Sequence, residues 1–188
     1  MSKSKRLVYV SEDLIKAALE IARSEGKSLG VFVEESLRLA LSAKKLGYDA
    51  EEASEILGVI HANRILGGAF VPLDVFNHLI KAAYRAGRKR LKERWYESGR
   101  LHGKYLKERF ENPVEAFKVF LEASRWDLSE VEVTNKGDAF KLRCFSTVLS
   151  EEGTETLLKY IEGAITNMGY KIVKVDHIRG MIILEFKR

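Results

Sequence analysis

A chain of 188 residues, 46% hydrophobic and 31% charged, is long enough for one or two small globular domains. No apolar run approaches the roughly eighteen residues that span a bilayer, and the start, MSKSKRLVYVSED, lacks the apolar stretch of a signal peptide. These features exclude an integral membrane protein and predict a soluble, cytoplasmic protein without a membrane partner. The absence of Gln and the many charged residues are typical of thermophile composition.

The net charge of +5 is unevenly distributed along the chain. Residues 1–47 carry +3, residues 48–80 carry −4, residues 81–109 carry +8 and residues 110–188 carry −2. The two basic regions are candidates for contact with the phosphates of a nucleic acid. In the second region the Lys and Arg residues fall largely on one helical face, which is interpreted either as a solvated surface or as an auxiliary phosphate contact.

The N-terminal sequence predicts a short strand and two amphipathic helices. RLVYV alternates enough for a strand, and Ser11 is a suitable N-cap for a helix that ends at Gly26. Ser28 is a candidate cap for a second helix, which ends at Gly47. One strand and two helices are too few for an independent core. We therefore expect this unit to need a partner, either the rest of the chain or a second copy.

Residues 3–46 resemble the ribbon–helix–helix family of DNA-binding proteins, the MetJ/Arc type, in their basic strand, capped first helix, glycine-containing turn and second helix. The resemblance implies a homodimer whose two strands pair antiparallel and enter the major groove of double-stranded DNA. It implies that Val8 and Val10 face the core, and that a phosphate binds near the start of the second helix. The residues assigned to DNA contact are Lys3, Lys5, Leu7, Tyr9, Lys27 and Ser28.

Leu7 departs from the polar side chains that usually read base edges. It is interpreted either as a contact to a thymine methyl group or as a sign that the unit only dimerises.

The middle of the chain is predicted to be helical. Residues 48–69 form a connecting helix that Asp49 caps and a glycine pair ends. A long helical period follows over residues 74–110, with Gly87 and Gly99 as optional breaks.

The C-terminal sequence changes to alternating patterns. After a helix that begins at Asn112 and Pro113, it predicts a β-hairpin, a helix capped by Ser150 and a second hairpin. The last strand, MIILEF, is apolar enough to be buried on both faces. The predicted fold class is α+β: an N-terminal ribbon–helix–helix unit followed by a helical layer packed on an antiparallel sheet.

Residues 70–188 are assigned to one domain, which, over roughly residues 66–188, resembles the 4-vinyl reductase-like domain family, whose fold is shared with subunits of the TRAPP trafficking complex. The run WYESGRLHGKYL matches the family's helix of Tyr, Glu, a small residue, Gly, Arg and a second Gly. The resemblance implies a domain that strengthens a dimer or senses a small apolar or aromatic effector between helices and sheet. Aromatic-ligand sensors of that family hold a structural zinc mainly with cysteines. Cys144 is the single cysteine here, so neither a metal nor another cofactor is predicted.

The candidate pocket residues are Trp95, Tyr96, Gly99, His102, Trp126 and Phe145. Each has a structural alternative: the two tryptophans and Phe145 as core, and His102 as a satisfied buried histidine. Gly87, Gly99 and Gly103 lie on one ridge of a helix. We interpret them as positions of close packing against another element, in preference to the floor of a ligand site.

No nucleophile–base arrangement, Walker loop or dinucleotide fingerprint occurs in the sequence, so an enzyme is not predicted. The sequence predicts a homodimeric DNA-binding transcription regulator with a C-terminal dimerisation or sensing domain. The alternative is a ligand-binding or assembly protein in which the N-terminal unit only dimerises.

Overall fold

The computed structural model describes residues 7–125 and 127–188. Lys3, Lys5 and Trp126, named above as candidate site residues, lie outside the described residues. The chain divides into two compact units, with the boundary between Ser54 and Glu55. Within the described ranges, no helix has the length and apolar character needed to cross a membrane.

The fold is α+β, which confirms the predicted class, and its described residues form six helices and a four-stranded antiparallel sheet. The helices are α1 (Glu12–Ser24), α2 (Leu29–Lys45), α3 (Ala50–Leu66), α4 (Leu73–Arg109), α5 (Pro113–Ser124) and α6 (Glu151–Asn167). The strands are β1 (Glu130–Lys136), β2 (Ala139–Phe145), β3 (Lys171–Ile178) and β4 (Met181–Lys187).

The N-terminal unit consists mainly of α1 and α2. Residues 7–10 belong to no sheet of the single chain, so the predicted ribbon, which needs two chains, stays a prediction. Ser28 caps α2 by accepting a hydrogen bond from the Val31 amide at 3.4 Å. Ser11 occupies the N-cap position of α1, as predicted, but its hydroxyl makes no capping bond, and its carbonyl accepts the Ile15 amide.

A capping box begins α3. Asp49 Oδ1 accepts from the Glu52 amide at 2.9 Å, and Glu52 Oε2 accepts from the Asp49 amide at 2.7 Å. The predicted cap at Asp49 is confirmed. In α4, Gly87 is non-helical (φ −179°, ψ 74°) and kinks the helix, whereas Gly99 lies in unbroken helix. The predicted break at Gly87 is therefore confirmed and the one at Gly99 is wrong.

The C-terminal unit packs α5 and α6 against one face of the sheet. The strand order is β1-β2-β4-β3, so each sequence-adjacent hairpin forms half of the sheet, and α6 connects the halves. Ile182, Leu184 and Phe186 of β4 are buried, while the residues between them are only half-buried. The expectation that β4 is buried on both faces is wrong, because helices cover only one face of the sheet.

Candidate functional site

Two glycines of α4 let its backbone approach the backbone of α6. A Cβ atom on Gly99 would lie 1.9 Å from the carbonyl oxygen of Tyr160, and one on Gly103 would lie 2.2 Å from that of Ala164. Real Cβ atoms essentially never come within 3.0 Å of another heavy atom, so both positions require glycine. The prediction that these two glycines serve close packing is confirmed.

The α6 side of this contact contributes a glycine of its own. A Cβ atom on Gly163 would lie 2.1 Å from the carbonyl oxygen of Tyr96. Gly87 differs from these positions, since the nearest atom to its added Cβ would be Arg90 Cβ at 4.0 Å. The idea that Gly87 belongs to the same packing ridge is wrong; it lies at the kink of α4.

A cavity of about 670 Å³ lies beside α4 within the C-terminal unit. Its volume falls in the range of sites that hold small organic molecules. Its walls come from the end of α3, the loop after it, both parts of α4, the end of α5 with the following loop, and α6: Asn63, Leu66, Gly67, Gly68, Ala69, Phe70, Val71, Pro72, Leu73, Phe76, Trp95, Ser98, Leu101, His102, Phe120, Ser124, Arg125, Asp127 and Tyr160.

Aromatic rings form the inner wall of the cavity. Trp95 meets Phe76 edge-on at 6.0 Å between ring centroids and Tyr160 at 6.1 Å. The His102 ring lies 3.8 Å from the ring of Phe120. Such edge-to-face arrangements stabilise aromatic clusters beyond simple burial and leave a wall suited to apolar or aromatic ligands.

His102 is the polar feature of this wall. It is 3% exposed, its Nδ1 is hydrogen-bonded to the Tyr160 hydroxyl, and its Nε2 has no partner among the described residues. Burial lowers the pKa of His102 to about 4 and raises the pKa of Tyr160, so both are neutral at pH 7. The Tyr160 bond occupies one ring nitrogen in either tautomer. The interpretation as a fully satisfied histidine is therefore only half right, because the second ring nitrogen is buried without a partner among the described residues.

An ion pair completes the polar part of the cavity. Arg125 Nε lies 2.8 Å from Asp127 Oδ1, and the second guanidinium nitrogen contacts Oδ2, which gives a bidentate pair. The Arg125 guanidinium also lies over the Phe76 ring, 5.9 Å from its centroid. Ser146 anchors this loop by donating to the Asp127 carbonyl. Because the two charges cancel and His102 is neutral, the cavity favours a neutral ligand over an ion.

The sequence-predicted pocket residues are only partly brought together. Trp95 and His102 line the cavity, whereas Gly99 packs against α6. Tyr96 lines a separate, more open depression of about 300 Å³ with charged neighbours. Phe145, at the end of β2, is 41% exposed and does not line the cavity, so its expected place in the core is wrong.

Three main wall residues were not predicted from sequence. Phe76, Phe120 and Tyr160 lie on three different helices. The available signal was the apolar stripe of each helix, which marks inward-facing residues without showing which stripes meet.

The candidate DNA-contacting residues that the structure describes lie in the N-terminal unit. Leu7 is 83% and Tyr9 92% exposed, and Val8 and Val10, expected in the core, are also exposed in the single chain. Lys27 Nζ contacts Glu35 at 2.8 Å and Glu25 at 3.0 Å. These hydrogen bonds raise the pKa of Lys27 and occupy the ammonium group in the single chain.

The described residues contain no group of three or more His, Cys, Asp or Glu side chains placed to hold a metal ion. Cys144 is buried in the core, and burial raises the pKa of its thiol to about 12.

No family model matches the sequence, and no curated protein matches it. A solved structure titled "Probing the function of heme distortion in the H-NOX family" is similar with a TM-score of 0.39 and 16% identity, over 68% of this chain and 81% of that chain.

Proposed function

We propose that this protein is a homodimeric DNA-binding transcription regulator whose C-terminal unit binds a small, neutral, largely apolar effector. The observation that carries the proposal is the uncovered apolar surface of the N-terminal unit. Among its described residues only Ala22 and Ala43 are buried. Its exposed large apolar residues are Leu7, Val8, Tyr9, Val10, Leu14, Ile21, Val31, Val33, Leu37, Leu39, Leu41, Leu46 and Tyr48.

This surface supports a second copy as the partner. Burial of a large apolar side chain stabilises a protein by about 1.5–3 kcal/mol relative to its exposure to water. A surface with this many exposed apolar side chains therefore favours association. Residues 7–10 are unpaired, which leaves their backbone groups open to a strand from another chain. Pairing of two such strands would give the two-stranded ribbon that the sequence resemblance implies.

The start of α2 supports contact with a phosphate. The first turn of α2 contains no acidic residue, whereas α1, α3, α4, α5 and α6 each carry at least one there. Helix N-termini carry a partial positive charge and free amides, and a first turn without acidic residues leaves this one favourable to an anion.

DNA binding is tested by fluorescence anisotropy with a pool of short genomic fragments over roughly 50 to 300 mM salt. We expect an affinity that falls steeply with salt, because phosphate contacts release counterions. The double variant Lys5→Ala with Tyr9→Ala should abolish preference among fragments. Lys136→Ala, which removes an exposed lysine of β1, is the matched control. Salt-independent binding, or equal binding by the double variant, would reject the ribbon as the reading element.

Effector binding is tested by native mass spectrometry of the purified full chain. We expect a retained neutral molecule in the wild type and its loss in His102→Leu, which removes the unpartnered nitrogen while keeping similar volume. Tyr96→Phe alters a residue outside the cavity and should retain the molecule. Equal retention by all three chains would contradict a role for His102.

A second candidate function is a ligand-binding or assembly protein in which the N-terminal unit only dimerises. Two observations favour it: Leu7 is apolar on the face assigned to DNA, and Lys27 is already paired with two carboxylates. A stable dimer that fails to bind any fragment at low salt would select this function.

A further inference from the structure

One wall of the cavity comes from residues 67–73 and Phe76, which belong to a single stretch of chain, residues 67–86, here called the lid segment. It comprises the loop after α3 and the part of α4 that precedes Gly87. Phe76 turns inward, where its ring meets Trp95 and lies under the Arg125 guanidinium. Ile80, in the same segment, is buried but does not line the cavity. Residues 67–76 therefore cover the cavity, and the rest of the lid segment lies beyond its lining.

Glycines lie at both ends of the lid segment. Gly67 has a left-handed φ of +74°, a conformation that favours glycine, and Gly68 follows it. At the other end, Gly87 interrupts the helix with no atom closer than 4.0 Å to the position of a Cβ. Unlike Gly99 and Gly103, Gly87 is not explained by close packing. Its low helix propensity and its kinked backbone suit a hinge.

A buried carboxylate on α6 ties both sides of this kink together. Glu155, 7% exposed, accepts a hydrogen bond from the Tyr84 hydroxyl of the lid segment. Beyond the kink, Arg88 donates to the same carboxylate at 2.7 Å, and Lys92 Nζ lies 2.6 Å from it. Charge-assisted hydrogen bonds of this kind are about twice as strong as neutral ones.

The arrangement allows the Tyr84 bond to break on its own. When Tyr84 leaves, Arg88 and Lys92 still satisfy the Glu155 carboxylate, so no unpaired charge remains buried. Tyr84 is only half-buried, so its hydroxyl can donate its hydrogen bond to water in place of Glu155. The part of α4 after Gly87 stays fixed by its glycine packing against α6.

We propose that residues 67–86 form a lid that opens about Gly67–Gly68 and Gly87, and that the Tyr84–Glu155 hydrogen bond is the latch that holds it closed. The lid regulates access to the cavity and therefore rests on the proposed effector site. Opening moves Phe76 away from Trp95 and exposes the aromatic wall. A bound effector that fills the space under Phe76 favours the closed state, because it binds that state better than the open one.

The latch is tested by hydrogen–deuterium exchange of the full chain without any ligand. Tyr84→Phe removes one hydroxyl and keeps the ring. We expect exchange in residues 73–86 to rise about tenfold or more, the factor for loss of a hydrogen bond to a charged group. Exchange in residues 90–106 and in α6 should stay unchanged. Tyr105→Phe, which removes a tyrosine hydroxyl from α4 beyond the kink, should leave residues 73–86 at the wild-type rate.

A second measurement follows the cavity itself. In a Trp126→Phe background Trp95 is the only tryptophan, and its quenching by acrylamide reports access to the aromatic wall. Quenching should increase in Tyr84→Phe and not in Tyr105→Phe. The lid is rejected if exchange in residues 73–86 does not change, or if it rises equally throughout α4 and α6.

These outcomes are separate from those for effector binding. Faster local exchange without any retained molecule would keep the lid and reject the effector. A retained molecule with unchanged exchange would keep the effector and reject the lid.

Discussion

The two compact units bury their apolar residues to very different extents. In the N-terminal unit the described residues bury only two alanines, and large apolar side chains on α1 and α2 remain in water. In the C-terminal unit, α4, α5, α6 and the sheet enclose a continuous core that includes Phe117, Leu121, Ile161 and Phe186. The same chain thus contains one unit that completes its own core and one that does not.

The contacts within one chain account for the stability of the C-terminal unit but not for that of the N-terminal unit. The stability of the C-terminal unit comes from contacts within the chain, so its substitutions act at any protein concentration. The stability of the N-terminal unit should depend on a partner and therefore on concentration. Substitutions in the two units should therefore differ in their dependence on protein concentration.

Gly99→Ala should destabilise the C-terminal unit most. The added Cβ would lie 1.9 Å from the Tyr160 carbonyl oxygen, so α4 and α6 must separate along their packed length. Overpacking against backbone costs about 3 kcal/mol or more, since no flexible side chain can yield. Urea unfolding followed through Trp fluorescence measures the loss, which should not vary with protein concentration. A loss below about 0.5 kcal/mol, the range of ordinary surface changes, would contradict the close contact.

Leu37→Glu should act on the N-terminal unit through the proposed dimer. In the single chain Leu37 is exposed on α2, so a carboxylate there is tolerated, but across a dimer interface it costs about 2–4 kcal/mol. We expect sedimentation to show a dissociation constant raised by about thirtyfold or more. Arg38→Glu places the same carboxylate on the neighbouring exposed residue and should leave the dimer largely intact. Equal behaviour of both variants would indicate that α2 is not the interface.

The Glu155 cluster should make the stability of the C-terminal unit depend on pH. Burial alone would raise the pKa of Glu155, but the hydrogen bonds from Lys92 and Tyr84 and the charges of Lys92 and Arg88 outweigh it, so the pKa lies below the usual 4.5. Because the folded pKa is lower than the unfolded one, this stabilisation is present above about pH 4.5 and is lost as the pH falls through the folded value.

The comparison with Glu155→Gln isolates this effect. Its deficit in unfolding free energy relative to the wild type should shrink between about pH 5 and about pH 3. A deficit that stays constant over this interval would mean that the neighbouring groups do not stabilise the ionised Glu155 carboxylate in the folded protein.

Gly58→Ala should have the smallest effect, and in the stabilising direction. Gly58 is a helical residue of α3 with nothing within 4 Å of its added Cβ. Alanine in an open helical position is favoured by about 0.5–1 kcal/mol over glycine. A small rise in the unfolding midpoint would confirm that the cost at Gly99 comes from packing and not from replacing a helical glycine as such.

The features that were predictable from sequence are local. The Asp49 and Ser28 caps, the hairpins and the packing role of Gly99 follow from residue types at short spacing. The cavity could not be predicted, because Phe76 and Tyr160 meet only after α4 has packed on α6. The Glu155 cluster could not be predicted for the same reason, since 71 residues separate Glu155 from Tyr84 and 67 separate it from Arg88.

Other errors came from treating a local preference as decisive. Ser11 has the right residue type for a cap, yet its side chain makes no such bond. Phe145 is a residue type typical of cores, but the alternation of side chains along β2 places it on the exposed face of the strand. In both cases the direction of the side chain, and not its chemistry, determines the contact.

The start of α3 has a practical consequence for dividing the chain. The boundary between the compact units falls after Ser54, inside the first turns of α3. A fragment cut there would lack Asp49 and Glu52, whose reciprocal bonds satisfy the first amides of that helix, at a cost of about 1 kcal/mol. A C-terminal fragment that begins at Tyr48 retains the whole cap and is the better choice for studying the cavity in isolation.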